Sequence, residues 1–114
     1  MQNVEPKIYL FIENFIPSEL YLLNKNISII LRNYQKIISG SEIVALRNFC
    51  KTHKRRLYLA NDIKRAIKYK LNGVYIPSFN NKKNLNAVSL PKNFSLLGSA
   101  HNQKEIKIKE AQGC

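Results

Sequence analysis

The chain reads as an α/β fold built on parallel strands. Five short apolar runs rich in β-branched residues recur along it, and helical patterns with one apolar face separate them. The runs are nearly continuously apolar instead of alternating, which suits strands covered on both faces. Strands that alternate with helices require a parallel sheet, either a (β/α) barrel or a doubly wound sheet. No G-x-G-x-x-G and no Walker loop follows any run, which weakens the nucleotide-binding doubly wound option and favours a partial TIM-type (β/α) barrel. A complete eight-unit barrel takes about 250 residues, so the 114 residues here supply about five of the eight units as a single partial-barrel domain.

The first strand is expected at Ile8–Ile12 (IYLFI) and the first helix opens at Pro17-Ser18-Glu19 and runs through Leu20, Leu22 and Leu23. The second strand is ISIIL, Ile27–Leu31. The second helix starts at Ser39-Gly40-Ser41-Glu42, where Ser39 and Glu42 have capping-box spacing, and Ile43, Leu46, Phe49 and Cys50 form its apolar stripe. LYLA, Leu57–Ala60, is the third strand. Asp62 can cap the helix that follows; its Ile63, Ala66, Ile67 and Leu71 line one face, while Lys64, Arg65 and Lys68 point elsewhere. Asn72-Gly73 is read as that helix's stop, because Gly tolerates the left-handed conformation that ends many helices. The fourth strand is VYI at residues 74–76, and the fifth passes through Leu96 and Leu97 into Gly98-Ser99. Between them the connection is irregular, with room for a short helix over residues 83–89. A last helix begins at Asn102 and closes at Gly113.

Nineteen basic against seven acidic side chains give a formal charge of +12. Most of the excess is Lys scattered along helices, which reads as a solvated face and argues against nucleic-acid binding. The densest run, KTHKRR at residues 51–56, falls in a helix's last turn, where cations complement the macrodipole. Cys50 lies on an apolar stripe and Cys114 ends the chain; two such thiols do not make a disulfide framework, and a reducing cytoplasm is the simpler compartment. Cys50-x-x-His53 lacks the second pair a zinc site needs. No apolar run approaches the roughly 18–20 residues of a membrane span, and the start MQNVEPK does not resemble a secretory signal. The first and last strands are expected to be open edges, which invite self-association or a partner.

In (β/α) barrels the chemistry sits at the C-terminal ends of the strands. Strand one delivers Glu13 and Asn14 there, strand two Arg32, Asn33 and Tyr34, strand three Asn61 and Asp62, strand four Pro77 and Ser78, and strand five Ser99, His101 and Asn102. Arg32 can grip a phosphate or carboxylate in a planar fork, or form a salt bridge. Asp62 can hold Mg²⁺, or serve only as a helix N-cap. His101 can act as a general acid or base, or hydrogen bond to a loop at a helix entry. Ser78 and Ser99 offer hydroxyls, with no readable nucleophile arrangement.

Three stretches resemble the thiamine phosphate synthase and TenI (thiazole tautomerase) superfamily. ISIILRNY is similar to the family's Leu-Arg-Glu-Lys segment, LYLANDIKRAIKYKLNGVYI to its Asn-Asp strand, helix and Gly-Val-His-Leu, and LLGSAHNQKEIKIKEAQG to its Gly-x-Ser-x-His segment. The likeness covers the first five units of that barrel. It implies an enzyme of thiamine biosynthesis that joins a pyrimidine pyrophosphate to a thiazole phosphate and releases pyrophosphate, with Mg²⁺ as cofactor. By the same resemblance Asn61 contacts the pyrimidine or its pyrophosphate, Asp62 binds the metal, Arg32 belongs to the anion-binding segment, Ser99 lies on the substrate, and His101 moves the proton in a tautomerase. The family's Gln-Leu-Arg-Glu-Lys is Ile30-Leu31-Arg32-Asn33-Tyr34 here, and its second metal aspartate has no counterpart among residues 75–84. The alternatives to a synthase are a TenI-like tautomerase and a non-catalytic module that binds a precursor or a protein.

Overall fold

The computed structural model describes residues 8–24, 26–78, 90–98 and 109–114. Within them the chain alternates strand and helix: β1 (Ile8–Ile12), α1 (Pro17–Leu20), β2 (Ile27–Leu31), α2 (Gly40–Thr52), β3 (Leu57–Ala60), α3 (Ile63–Lys68), β4 (Gly73–Ile76) and β5 (Ser95–Gly98). The five strands form one sheet in the order β1-β2-β3-β4-β5, and every pairing is parallel. All five expected strands are present, so the fold is α/β with an all-parallel sheet. A doubly wound sheet reverses its strand order at a switch point; this one does not.

Register and side-chain alternation give the sheet two distinct faces. Ile29 and Leu31 of β2, Leu57 and Leu59 of β3, and Val74 and Ile76 of β4 are buried in one cluster with Leu20 of α1, Ile43, Leu46 and Cys50 of α2, and Ala66 of α3. Helices α1, α2 and α3 therefore pack against the same side. Removing these apolar chains from water is the main driving force for assembling the unit.

The opposite face is aromatic, carrying Tyr9, Phe11, Tyr58 and Tyr75. Phe11 on β1 and Tyr75 on β4 meet edge to face with centroids 5.1 Å apart, and Tyr9 meets Tyr58 of β3 at 5.9 Å. In a flat sheet, strands three places apart lie roughly 14 Å from one another, so ring contact requires the sheet to curl around this face. Helices outside and aromatics inside a curved, consecutively ordered parallel sheet are compatible with part of a (β/α) barrel.

Several local expectations need correction. Among the described residues only β2, β3 and β4 have strand neighbours on both sides; on β1, Ile8, Leu10 and Phe11 remain exposed, so an apolar run did not mean cover on both faces there. Helix α1 is a single turn, and Leu22, placed in it by spacing, is 90% exposed. Gly73 does not end α3: the helix stops at Lys68, Lys70 takes the left-handed conformation (φ 57°), and Gly73 opens β4. A Cβ on Gly73 would collide with the Ser95 carbonyl oxygen and come 2.9 Å from the Tyr58 ring, so close approach is what requires glycine there. Within residues 51–56 Arg55 is buried instead of complementing a helix end at the surface. The closing turn is as expected: Gly113 has φ 92°, with Cys114 N donating to Lys109 O and Gly113 N to Glu110 O, the bonding of a Schellman motif. The connection over residues 83–89 and the start of the last helix at Asn102 lie outside the described residues. No helix among the described residues is long and apolar enough to cross a membrane.

Candidate functional site

The site assembles at the C-terminal edge of β2, β3 and β4. Strand β3 ends at Ala60, and Asn61 turns out of the sheet in the left-handed region (φ 58°) with its N–H on Tyr75 O at 2.7 Å. Asn is one of the few L-residues that enters this region at small cost, because its short amide can bond locally. The turn delivers Asp62 as the N-cap of α3, Oδ1 accepting Arg65 N at 3.1 Å. The capping role is thus fulfilled, while Oδ2 makes no bond among the described residues.

Strand β2 supplies the facing wall. Asn33 Oδ1 accepts from Gln35 N (3.0 Å) and Lys36 N (3.2 Å), an Asx turn that fixes the loop after the strand. Between this loop and the Asn61-Asp62 turn lies a cleft of about 350 Å³, floored by Leu31 and Leu59 and rimmed by Tyr34, Lys36, Asn61, Asp62 and Arg65. Arg65 was expected only to point away from the apolar face of α3. Its Nη2 donates to Ile38 O at 2.6 Å, tying α3 to the β2–α2 loop at the cleft. Its position three residues after Asp62, one turn along the same helix, is the signal that could have placed it.

Arg32 leaves β2 on the aromatic face. Its N–H bonds Ile12 O at 2.8 Å and its guanidinium lies over the Phe11 ring, 4.0 Å from the centroid. Arg32 is not among the residues rimming the cleft, but Tyr34 joins the two places: burial pushes the Tyr34 phenol up from its ordinary value, neighbouring Tyr75 adds to this and the Arg32 cation opposes it. Tyr34 therefore stays a protonated donor at neutral pH. Asn61, Asp62, Tyr34 and Arg32 share one edge of the sheet; Ser99 and His101 lie outside the described residues. Phe11 and Tyr75, part of the same edge, escaped notice because strand aromatics read as core.

Among the described residues Asp62 is the sole carboxylate rimming the cleft, and one of its oxygens is engaged by the cap. Among the described residues no group of three or more His, Cys, Asp or Glu gathers. These donors do not by themselves make the octahedral oxygen shell that magnesium prefers. Comparison with models of known protein families and with curated proteins finds no match to this chain.

Proposed function

We propose that this curled sheet is part of a TIM-type (β/α) barrel, and that the chain is a divergent protein of the thiamine phosphate synthase and TenI kind, binding a phosphorylated pyrimidine or thiazole at the C-terminal edge. The observation that carries the reading is the convergence there of the left-handed Asn61, the capping Asp62 and the cations Lys36 and Arg65 on one cleft, beside Arg32. A planar ring bearing phosphate needs an apolar floor, donors for ring heteroatoms and cations for the phosphate. Leu31 and Leu59 supply the first, Tyr34 and Asn61 the second, and Lys36, Arg65 and Arg32 the third. In a synthase reaction these cations would hold the departing pyrophosphate while the thiazole nitrogen attacks the pyrimidine carbon.

Incubating the protein with both phosphorylated precursors and magnesium, and assaying for thiamine phosphate, tests the activity. Product formation that Arg32→Gln and Asp62→Asn each diminish supports a synthase. A second reading, a precursor-binding module without turnover, is favoured by the single, already capping carboxylate. It predicts calorimetric binding of the pyrimidine pyrophosphate with no product. Tautomerase activity would show as thiazole isomerisation lost in His101→Ala and retained in Asp62→Ala. Absence of binding to either precursor would reject the whole proposal.

A further inference from the structure

The opposite end of the sheet holds a second cleft, of about 300 Å³, at the start of β3. Its walls come from three segments: Arg47 and Lys51 on the C-terminal half of α2, Lys54 and Arg56 in the α2–β3 turn, and Lys70 in the α3–β4 turn. Five cations besides Arg55 thus surround one small space, and among the described residues no acidic side chain lines it. Its floor is apolar and buried, made by Cys50, Leu57 and Leu71. Low-dielectric walls of this kind focus the field of the charges above them.

Two further features separate this arrangement from an ordinary solvated face. Lys54 (φ 55°) and Lys70 (φ 57°), on different turns, both adopt the left-handed region that a lysine enters at a cost, and both border the cleft. Arg47 is held in place, with Nη1 on Tyr69 O at 3.1 Å and Nη2 on Asn48 Oδ1 at 3.2 Å. Arg55 also lines the cleft, but its guanidinium is engaged by backbone carbonyls between Leu20 and Ile27. Like charges gathered without counter-charge repel one another in the free protein, so an anion that fills the space removes that penalty.

We propose that this cleft binds an oligophosphate, two or more linked phosphates of a small molecule. A single phosphate carries about two negative charges and would leave most of the five cations unmatched. The small volume suits a compact ligand better than the long stripe a nucleic acid follows.

The test is calorimetric titration of the full chain with inorganic tripolyphosphate at fixed ionic strength, with orthophosphate and a short single-stranded RNA as parallel titrants. Saturable binding of tripolyphosphate at this cleft, at least tenfold tighter than orthophosphate, is expected. Lys54→Gly and Lys70→Gly should each weaken it roughly tenfold while raising the melting temperature of the free protein, because each removes a cation and relieves a left-handed backbone. A loss of affinity in those variants therefore cannot come from misfolding. Lys64→Gln, exposed on α3 and lining neither cleft, should bind tripolyphosphate like the parent. Equal affinity for tripolyphosphate and orthophosphate, undiminished binding in the Lys54→Gly/Lys70→Gly double variant, or RNA binding tighter than tripolyphosphate would each overturn the proposal.

Discussion

Arg55 is the residue on which the turn between α1 and β2 is built. Its Nη1 donates to Asn24 O (2.7 Å) and Ile27 O (3.1 Å), and its Nη2 to Leu23 O (2.6 Å) and Leu20 O (3.4 Å). Buried carbonyls in a turn need donors, and one guanidinium serves four of them from the end of α1 to the start of β2, its Nε remaining buried without a partner among the described residues. Arg55→Lys keeps the charge but not the fork, and should cost about 3 kcal/mol in urea unfolding. Cys50 offers a second test. At 2% exposure its thiol is desolvated and pushed up from 9.0 to about 11, although Arg55 nearby opposes this. Between those values the unfolded chain has lost a proton that the folded chain still holds, so stability is present below about pH 9 and falls as pH rises toward 11. From about pH 8 to about pH 10.5 this group should account for about 2 kcal/mol of lost stability, a component missing in Cys50→Ala. Tyr9 and Tyr34, also raised chiefly by burial, add alkaline loss to parent and variant alike.

Among the elements, α2 was the most legible. Ser39 Oγ accepts Glu42 N at 3.2 Å, and Ile43, Leu46 and Cys50 are buried on the stripe their spacing marks. The reciprocal half of the capping box does not form, because Glu42 Oε2 accepts Phe15 N at 2.9 Å instead and ties α2 to the chain after β1. The same cap logic separates two roles of Asp62. Asn caps as well as Asp does, whereas Ala does not. Asp62→Asn should leave unfolding free energy within about 0.5 kcal/mol of the parent, and Asp62→Ala should lose about 1 kcal/mol. A precursor-affinity loss shared by both variants would then report the carboxylate itself. What spacing could not reveal depends on distant packing. Gly73 is fixed by β5, a strand far along the chain, and Gly73→Ala should cost about 3 kcal/mol by forcing β4 from β5. Leu22 repeats at helical spacing, yet no neighbour covers it. The charge run over residues 51–56 looks uniformly superficial because sequence does not show which cation turns inward.

At the scale of the whole molecule, the five strands and their parallel order were legible because each run is short, β-branched and separated by a helical stretch. The curl was not, since it follows from contacts between strands that are not neighbours, such as Phe11 with Tyr75. Of the candidate site, Asn61, Asp62 and Arg32 fell at the expected edge, while Arg65 and the aromatics emerged only from geometry. The edge strand β1 presents Ile8, Leu10 and Phe11 to solvent, and unpaired edges of this kind invite association, which the net charge of +12 resists. Screening that charge from about 50 mM to about 500 mM salt should raise the average mass in sedimentation, and Leu10→Lys should suppress the rise.

Because every strand joins the one made just before it, no strand has to wait for a later one to find its partner. The sheet can lengthen in the direction of synthesis, each β/α unit settling against an existing template as it leaves the ribosome. A nascent chain halted after β3 should already protect the β2 amides from hydrogen exchange, since those bonds need nothing that is translated later.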